Sequence, residues 1–163
     1  MNYVTVASDA SFDRGMSGFA YYIRDDNGVT ARAWRGKKNE FNSSDATEVE
    51  AMLTALVILS DRKYPPDTKL IYYCDNMNVI RLINRHVYSD KSKKRKEWER
   101  LSHEVRFLTQ QFIEIEGRHV KGHQKPGEYG IEEKKFYLNR WCDANASMMM
   151  KKNRYNNRYK EIK

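Results

Sequence analysis

Residues Tyr3 to Ala7 alternate and are rich in β-branched side chains, a pattern that predicts a strand. A polar turn follows at Asp13 to Ser17, then a second strand over Gly18 to Arg24. Asp25-Asp26-Asn27-Gly28 is a strong hairpin signal because Asn-Gly tolerates positive φ, so Val29 to Trp34 should return as a third antiparallel strand. The period then changes. Glu48, Met52, Ala55, Leu56 and Leu59 recur at helical spacing, with Ser43, Ser44 or Asp45 able to cap the start. Tyr64-Pro65-Pro66-Asp67 interrupts the chain before Lys69 to Cys74, a short apolar run suited to a buried strand.

Asn76 to Arg85 reads as a helix, and Trp98, Leu101, Val105 and Leu108 mark another beyond a basic run. Phe112 to Val120 alternates like a strand. A glycine-containing loop from Gly122 to Gly130 leads to a last helix carrying Leu138, Trp141, Cys142 and Met148-Met149-Met150. The order βββαβα(α)βα implies an α/β domain, a mixed sheet with helices packed on it. Residues 1–150 are expected to form that domain, and the polar, basic stretch 151–163 a tail that frays.

Charge narrows the partners. Against 22 Asp+Glu stand 30 Lys+Arg, a formal +8, which favours an anionic partner such as nucleic acid or an acidic membrane surface without choosing between them. Cys74 and Cys142 are the only cysteines; their spacing suits neither a zinc site nor a disulfide framework, and each is expected to be a small packed residue. The N-terminus lacks a basic segment followed by a long apolar run, and no stretch approaches about 18 consecutive apolar residues. A cytoplasmic protein with no membrane association is therefore expected.

The acids are more informative than the net charge. Asp9 lies just past the first alternating run, and Asp75 follows directly on Leu70-Ile71-Tyr72-Tyr73-Cys74. Ligands of open α/β sheets gather at the carboxyl ends of strands. If the two strands are adjacent and parallel, both carboxylates face one crevice. Glu48 shares its stripe with the apolar positions that must meet the sheet, whereas Glu50, about 200° around the helix, should face water. Asp143 is followed a turn later by Ala146 and Ser147, small enough to permit close approach of another element. Taken singly, Asp9 or Asp75 could cap a turn, Glu48 could serve the helix dipole and Asp143 could lie on a solvated face. Together they make a metal site, since clustered carboxylates repel one another unless a cation compensates them.

At these residues the chain resembles the type 1 ribonuclease H family, from Tyr3 to about Met150. Ser8-Asp9-Ala10-Ser11 is close to its first-strand signature. Glu48, Ala51, Ala55 and Leu56 meet its helix pattern, Asp75 matches the Asp ending its fourth strand, Val120-Lys121-Gly122-His123 its strand-to-loop motif, and Arg140-Trp141-Cys142-Asp143-Ala144 the start of its last helix. Ala10 stands where Gly is common, and the twenty positions from His123 to Asp143 exceed the family's usual step, which implies an enlarged loop.

The resemblance implies a ribonuclease H-like fold, with a mixed five-stranded sheet, three antiparallel strands then parallel ones, and helices on both faces. It implies a monomeric endonuclease that cleaves the RNA strand of RNA–DNA hybrids with two Mg²⁺ ions, for which Mn²⁺ could substitute. Asp9, Glu48, Asp75 and Asp143 would be the ligands, with Asp9 shared, and His123 would assist proton transfer or product release. His119, at a strand end, reads as structural. Ser43, Ser44, Asp45 and Asn76 lie where the family contacts the hybrid, and each is equally suited to cap a helix. The run Lys91 to Lys96, with Lys93, Lys94 and Arg95 at its centre, resembles a basic protrusion that grips DNA phosphates. A hybrid- or duplex-binding module without catalysis and a DNA-junction nuclease are the competing readings.

Overall fold

The computed structural model describes residues 2–37, 43–87, 93–120 and 133–162. Its elements follow the expected order: β1 (Asn2–Asp13), β2 (Met16–Asp25), β3 (Gly28–Arg35), α1 (Ser44–Ser60), β4 (Thr68–Cys74), α2 (Met77–Ile83), α3 (Lys93–Leu108), β5 (Glu114–His119) and α4 (Glu133–Ile162). They build one five-stranded sheet in the order β3-β2-β1-β4-β5. The first three strands pair antiparallel, while β4 runs parallel to both β1 and β5.

The hairpins differ from their sequence reading in detail. β1 does not stop at Ala7 but continues to Asp13, and the turn expected over Asp13 to Ser17 shrinks to Arg14-Gly15 between the paired Asp13 and Met16. Both turn residues have positive φ, 50° and 81°, the backbone that matches the twist of a two-residue hairpin. In the second hairpin the positive φ falls on Gly28 (113°), and the Asp25 carboxylate accepts a hydrogen bond from the Asn27 amide at 2.9 Å. That carboxylate also accepts from Tyr64 Oη at 2.7 Å and Arg62 Nη1 at 2.9 Å, tying the hairpin to the segment after α1.

Alternation along the strands divides the core into two layers. Val4 and Val6 of β1, with Leu70 and Tyr72 of β4, meet Met52, Ala55, Leu56 and Leu59 of α1, and α2 and α3 close the same side. Ala7, Ala20, Tyr22, Ile71 and Tyr73 point the other way, onto Leu138, Cys142 and Ala146 of α4. The sheet is therefore covered on both faces, which accounts for a β2 buried at eight consecutive positions. Glu48 is buried and Glu50 exposed, as the helical spacing requires.

α3 begins earlier than its apolar stripe suggests, taking Lys93, Lys94, Arg95 and Lys96 into its first turn. The cations there oppose the helix dipole, and Arg95 offsets part of this by pairing with Glu99 one turn on, at 3.0 Å. β5 is shorter than the strand read over Phe112 to Val120. The α4 backbone carries helix through residues 151–162, the stretch set apart in the sequence as a tail. Among the described residues, no helix is long and apolar enough to cross a membrane.

Gly18 sets how closely α4 lies on the sheet. A Cβ built there would come within 2.1 Å of the Ala146 carbonyl oxygen and 2.3 Å of the Met150 amide nitrogen, both backbone atoms. Gly18→Ala must therefore push α4 outward. The expected cost is about 1–3 kcal/mol, read as a lower urea midpoint. An unchanged midpoint would show that α4 does not bear on β2 this tightly.

Candidate metal centre

The register of β1 on β4 brings the first two acids together. Ala7 pairs with Tyr73, the last ladder pair before the strands diverge; Asp9 stands two residues further along β1, and Asp75 directly follows the end of β4 at Cys74. Period two keeps Asp9 on the α4 face, and Asp75 lines the same cleft. Asp9 is thus mid-strand in β1, still paired with Ala20 of β2, but at the end of the parallel ladder. The sequence placed it correctly with respect to β4 and too early with respect to β1.

Glu48 arrives from the other layer, at the start of α1, and Asp143 from α4. Asp9, Glu48, Asp75 and Asp143 line one cleft of about 1210 Å³. Asp9 is 2% and Glu48 6% exposed, so these two are withdrawn from water and cannot be read as solvated surface acids. The Asp9 carboxyl faces those of Glu48 and Asp143, and hydrogen bonding between such carboxyls requires a proton when no cation is present. Burial above all, then the charges of Glu48 and Asp75, push the Asp9 carboxyl far above its ordinary value. Burial raises Glu48 too, with the charge of Asp75 and then that of Asp143 adding to it, against a lowering by hydrogen bonds with Asp9 and the Ala10 amide.

The donor set fits a hard divalent cation. Glu48 Oε2 is buried with no hydrogen-bond partner among the described residues, an uncompensated acceptor aimed into an acidic cluster. Ligand atoms of Glu48, Cys74 and Asp75 lie within 4.8 Å of one another. Cys74 is the odd member. It is fully buried, and that burial, reinforced by the nearby carboxylates, pushes its thiol well above the ordinary range, so it stays protonated. The oxygen donors alone are suited to a hard ion. Cys142, on the opposite layer, points its thiol at the Ala7 carbonyl oxygen at 3.5 Å. Both cysteines are packed residues, as expected.

The remaining candidates separate. Ser43 caps α1, accepting from the Ala46 amide at 3.1 Å. Asn76 caps α2 through its Oδ1, while its Nδ2 donates to Asp45 at 3.1 Å, bridging the starts of two helices. Ser44 lines the cleft. Arg95 is exposed, paired with Glu99 and away from the cleft lining, and Lys93 and Lys94 share its helical turn. His123 lies outside the described residues. His119, paired with Cys74 at the end of β5, puts Nε2 2.9 Å from the Asp75 carbonyl oxygen. A carbonyl only accepts, so Nε2 carries the proton and the ring holds the Asp75 backbone in place.

Ser11, Arg35, Lys151 and Lys152, to which the sequence alone assigned no role in the site, also line the cleft, as does Ser147, read there only as a small residue allowing close approach. Ser11 belongs to the first-strand motif and Arg35 is the ladder partner of Gly18, but each looks locally like an ordinary polar residue facing solvent.

A five-stranded sheet of this order, sandwiched by helices and bearing acids at the ends of its central parallel pair, defines the ribonuclease H-like class. Residues 7–124 match the family model described as reverse transcriptase-like, and the chain belongs to that family. No curated protein matches it in sequence at a significant level. Among solved structures it is similar to the N-terminal RNase H domain of Rv2228c from Mycobacterium tuberculosis, solved as a fusion with maltose binding protein, with a TM-score of 0.67 and 14% identity over 96% of this chain and 99% of that one. LC11-RNase H1, isolated from compost by a metagenomic approach, aligns with a TM-score of 0.64 and 16% identity over 93% and 98% of the two chains. The same LC11 protein in complex with an RNA/DNA hybrid gives a TM-score of 0.58 and 14% identity over 91% and 97%. At these identities the likeness establishes the fold, that of type 1 ribonuclease H.

The raised carboxyls carry a signed consequence for the metal-free protein. Their folded pKa values exceed the unfolded ones, so the native state holds protons that the unfolded chain has already released. Stability is then greatest below the ordinary carboxylate range of about 4 and declines as pH rises toward the folded values. In EDTA, Asp9→Asn should flatten that decline and raise the thermal midpoint near neutral pH by at least about 3 °C, roughly 1 kcal/mol. A midpoint below that of the parent would contradict it.

Proposed function

We propose that this protein is a metal-dependent endoribonuclease that hydrolyses the RNA strand of RNA–DNA hybrids. The observation that carries the reading is the convergence of four carboxylates, from β1, α1, the residue after β4 and α4, on one cleft, with a buried Glu48 oxygen that has no hydrogen-bond partner among the described residues. Asp9, Glu48, Asp75 and Asp143 would hold two Mg²⁺ ions, with Mn²⁺ as a substitute and Asp9 as the shared ligand. When bound, such ions lower the pKa of an attacking water and stabilise the departing 3′ oxygen.

The chain's own groups prepare the site. Asp9 and Glu48 are positioned by packing, so the ligand geometry is set before substrate arrives. His119 orients Asp75 through the backbone. His123 is assigned to carry a proton to or from the reacting phosphate, a role suited to imidazole, whose unperturbed pKa of ~6.5 lies near neutrality. Ser43, Ser44, Asp45 and Asn76 gather at the starts of α1 and α2, where hydroxyl, carboxylate and amide groups suit the 2′-hydroxyls displayed in the shallow minor groove of an A-like hybrid. Capping and recognition are compatible, since Asn76 uses Oδ1 for the cap and Nδ2 for Asp45. Lys93, Lys94 and Arg95 are assigned to the DNA strand's phosphates. The LC11 hybrid complex supports this substrate class through the shared fold.

A labelled hybrid incubated with the protein and a titration of Mg²⁺ or Mn²⁺ tests the reading. The RNA strand should be cut, single-stranded RNA spared, and cleavage lost in EDTA. Asp75→Asn should lower kcat by at least about 100-fold, a loss of ~2.7 kcal/mol of transition-state stabilisation, while the thermal midpoint stays at or above that of the parent. Hybrid binding without cleavage in any metal, and surviving the substitution, would identify a binding module instead.

A further inference from the structure

The carboxylate cleft has a cationic wall that the site chemistry does not use. Arg35 ends β3, and Lys151 and Lys152 lie on α4, two turns beyond Asp143; all three are exposed and line the same cleft as the four acids. Their side chains make no ion pair or hydrogen bond with a described residue. Arg95 and Arg100, exposed elsewhere on the surface, are instead paired with Glu99 and Glu104.

Their meeting has a structural cause. Arg35 is the ladder partner of Gly18, and Gly18 is the point where the α4 backbone, at Ala146 and Met150, rests on the sheet without an intervening side chain. The close approach brings the residues just past Met150 to the end of β3. Three positive groups from two elements thus border a cleft floored by four carboxylates. An incoming polyanion is repelled by that floor until it is neutralised, and the cations along the wall attract its backbone on either side of the reacting phosphate.

We infer that Arg35, Lys151 and Lys152 form a phosphate-gripping strip that holds the sugar–phosphate backbone of the bound nucleic acid along the α4 side of the carboxylate cleft. The inference rests on the proposed nuclease reading and adds a second grip, distinct from the one assigned to Lys93, Lys94 and Arg95. The strip contacts phosphates and not bases, so it supplies affinity and register without sequence preference.

The test uses the full chain carrying Arg35→Gln, Lys151→Gln and Lys152→Gln together, exposed substitutions whose folding is checked by an unchanged thermal midpoint. Binding of a fluorescent RNA–DNA hybrid is followed by anisotropy across a salt series, in the Asp75→Asn background with Mg²⁺ so that substrate survives. The slope of log Kd against log salt should fall by about 2 to 3, and the affinity at low salt should drop by at least about tenfold. In the catalytically intact chain, KM should rise far more than kcat falls. Lys93→Gln with Lys94→Gln should lower the slope independently, and the two effects should add. An unchanged slope in the triple variant, with the parent binding and cutting hybrid normally, overturns the strip and leaves the nuclease reading intact. If the parent neither binds nor cuts hybrid, the nuclease reading falls, and the same salt series with duplex and single-stranded DNA decides the strip. A reduced slope on either keeps it, and no change on both ends it.

Discussion

The whole site depends on the parallel pairing of β1 with β4. Because Ala7 faces Tyr73, Asp9 further along β1 and Asp75 directly after β4 meet at one cleft. A slip of one residue in β1 would turn Asp9 into the opposite layer, among Val6, Tyr72 and the apolar side of α1. The register is held by apolar side chains on both faces, so the packing that makes the core also aligns the carboxylates.

That alignment is costly to the folded state. Withdrawing Asp9 and Glu48 from water beside two further acids opposes folding by several kcal/mol per charge before any compensation. Two layers of core carry this cost, with α1, α2 and α3 on one face and α4 on the other. Asp9 and Glu48 are held buried in this packing, while Asp75 and Asp143 are partly exposed to the cleft. The burial that makes the cluster unfavourable also makes it a ready cation site.

Much of this was legible in the sequence. The order of elements followed from hydrophobic period, and Glu48 was distinguished from Glu50 by the side of α1 on which it falls. Asp9 and Asp75 stood out because an acid ended or followed a run otherwise suited to burial. Other features depend on distances between elements, which local pattern does not encode. β1 continues to Asp13 because β2 goes on pairing with it after β4 has diverged, so the polar residues from Ser8 onward remain in strand. The start of α3 was obscured because charged residues in a first turn look like a loop. Asp143 was placed across an enlarged step, and its meeting with Asp9 follows from the seat that Gly18 offers α4. Arg35, Lys151 and Lys152 are far apart in sequence and look like ordinary surface charge; only the Gly18–Arg35 pairing and the continuation of α4 bring them together.

The strand order also places β5 at one edge of the sheet, where the Asn84 side chain accepts from the Gly117 amide at 2.7 Å and donates to its carbonyl at 3.0 Å, and Glu114, Glu116 and Arg118 are charged. Lys69 on β4 bridges Glu114 and Glu116 at 3.2 Å each, and Arg118 pairs with Glu116 at 2.9 Å. Such a ladder holds β5 to its neighbour while presenting fixed charges to any foreign strand that tries to add there. The sheet is thereby discouraged from growing into an aggregate at that border.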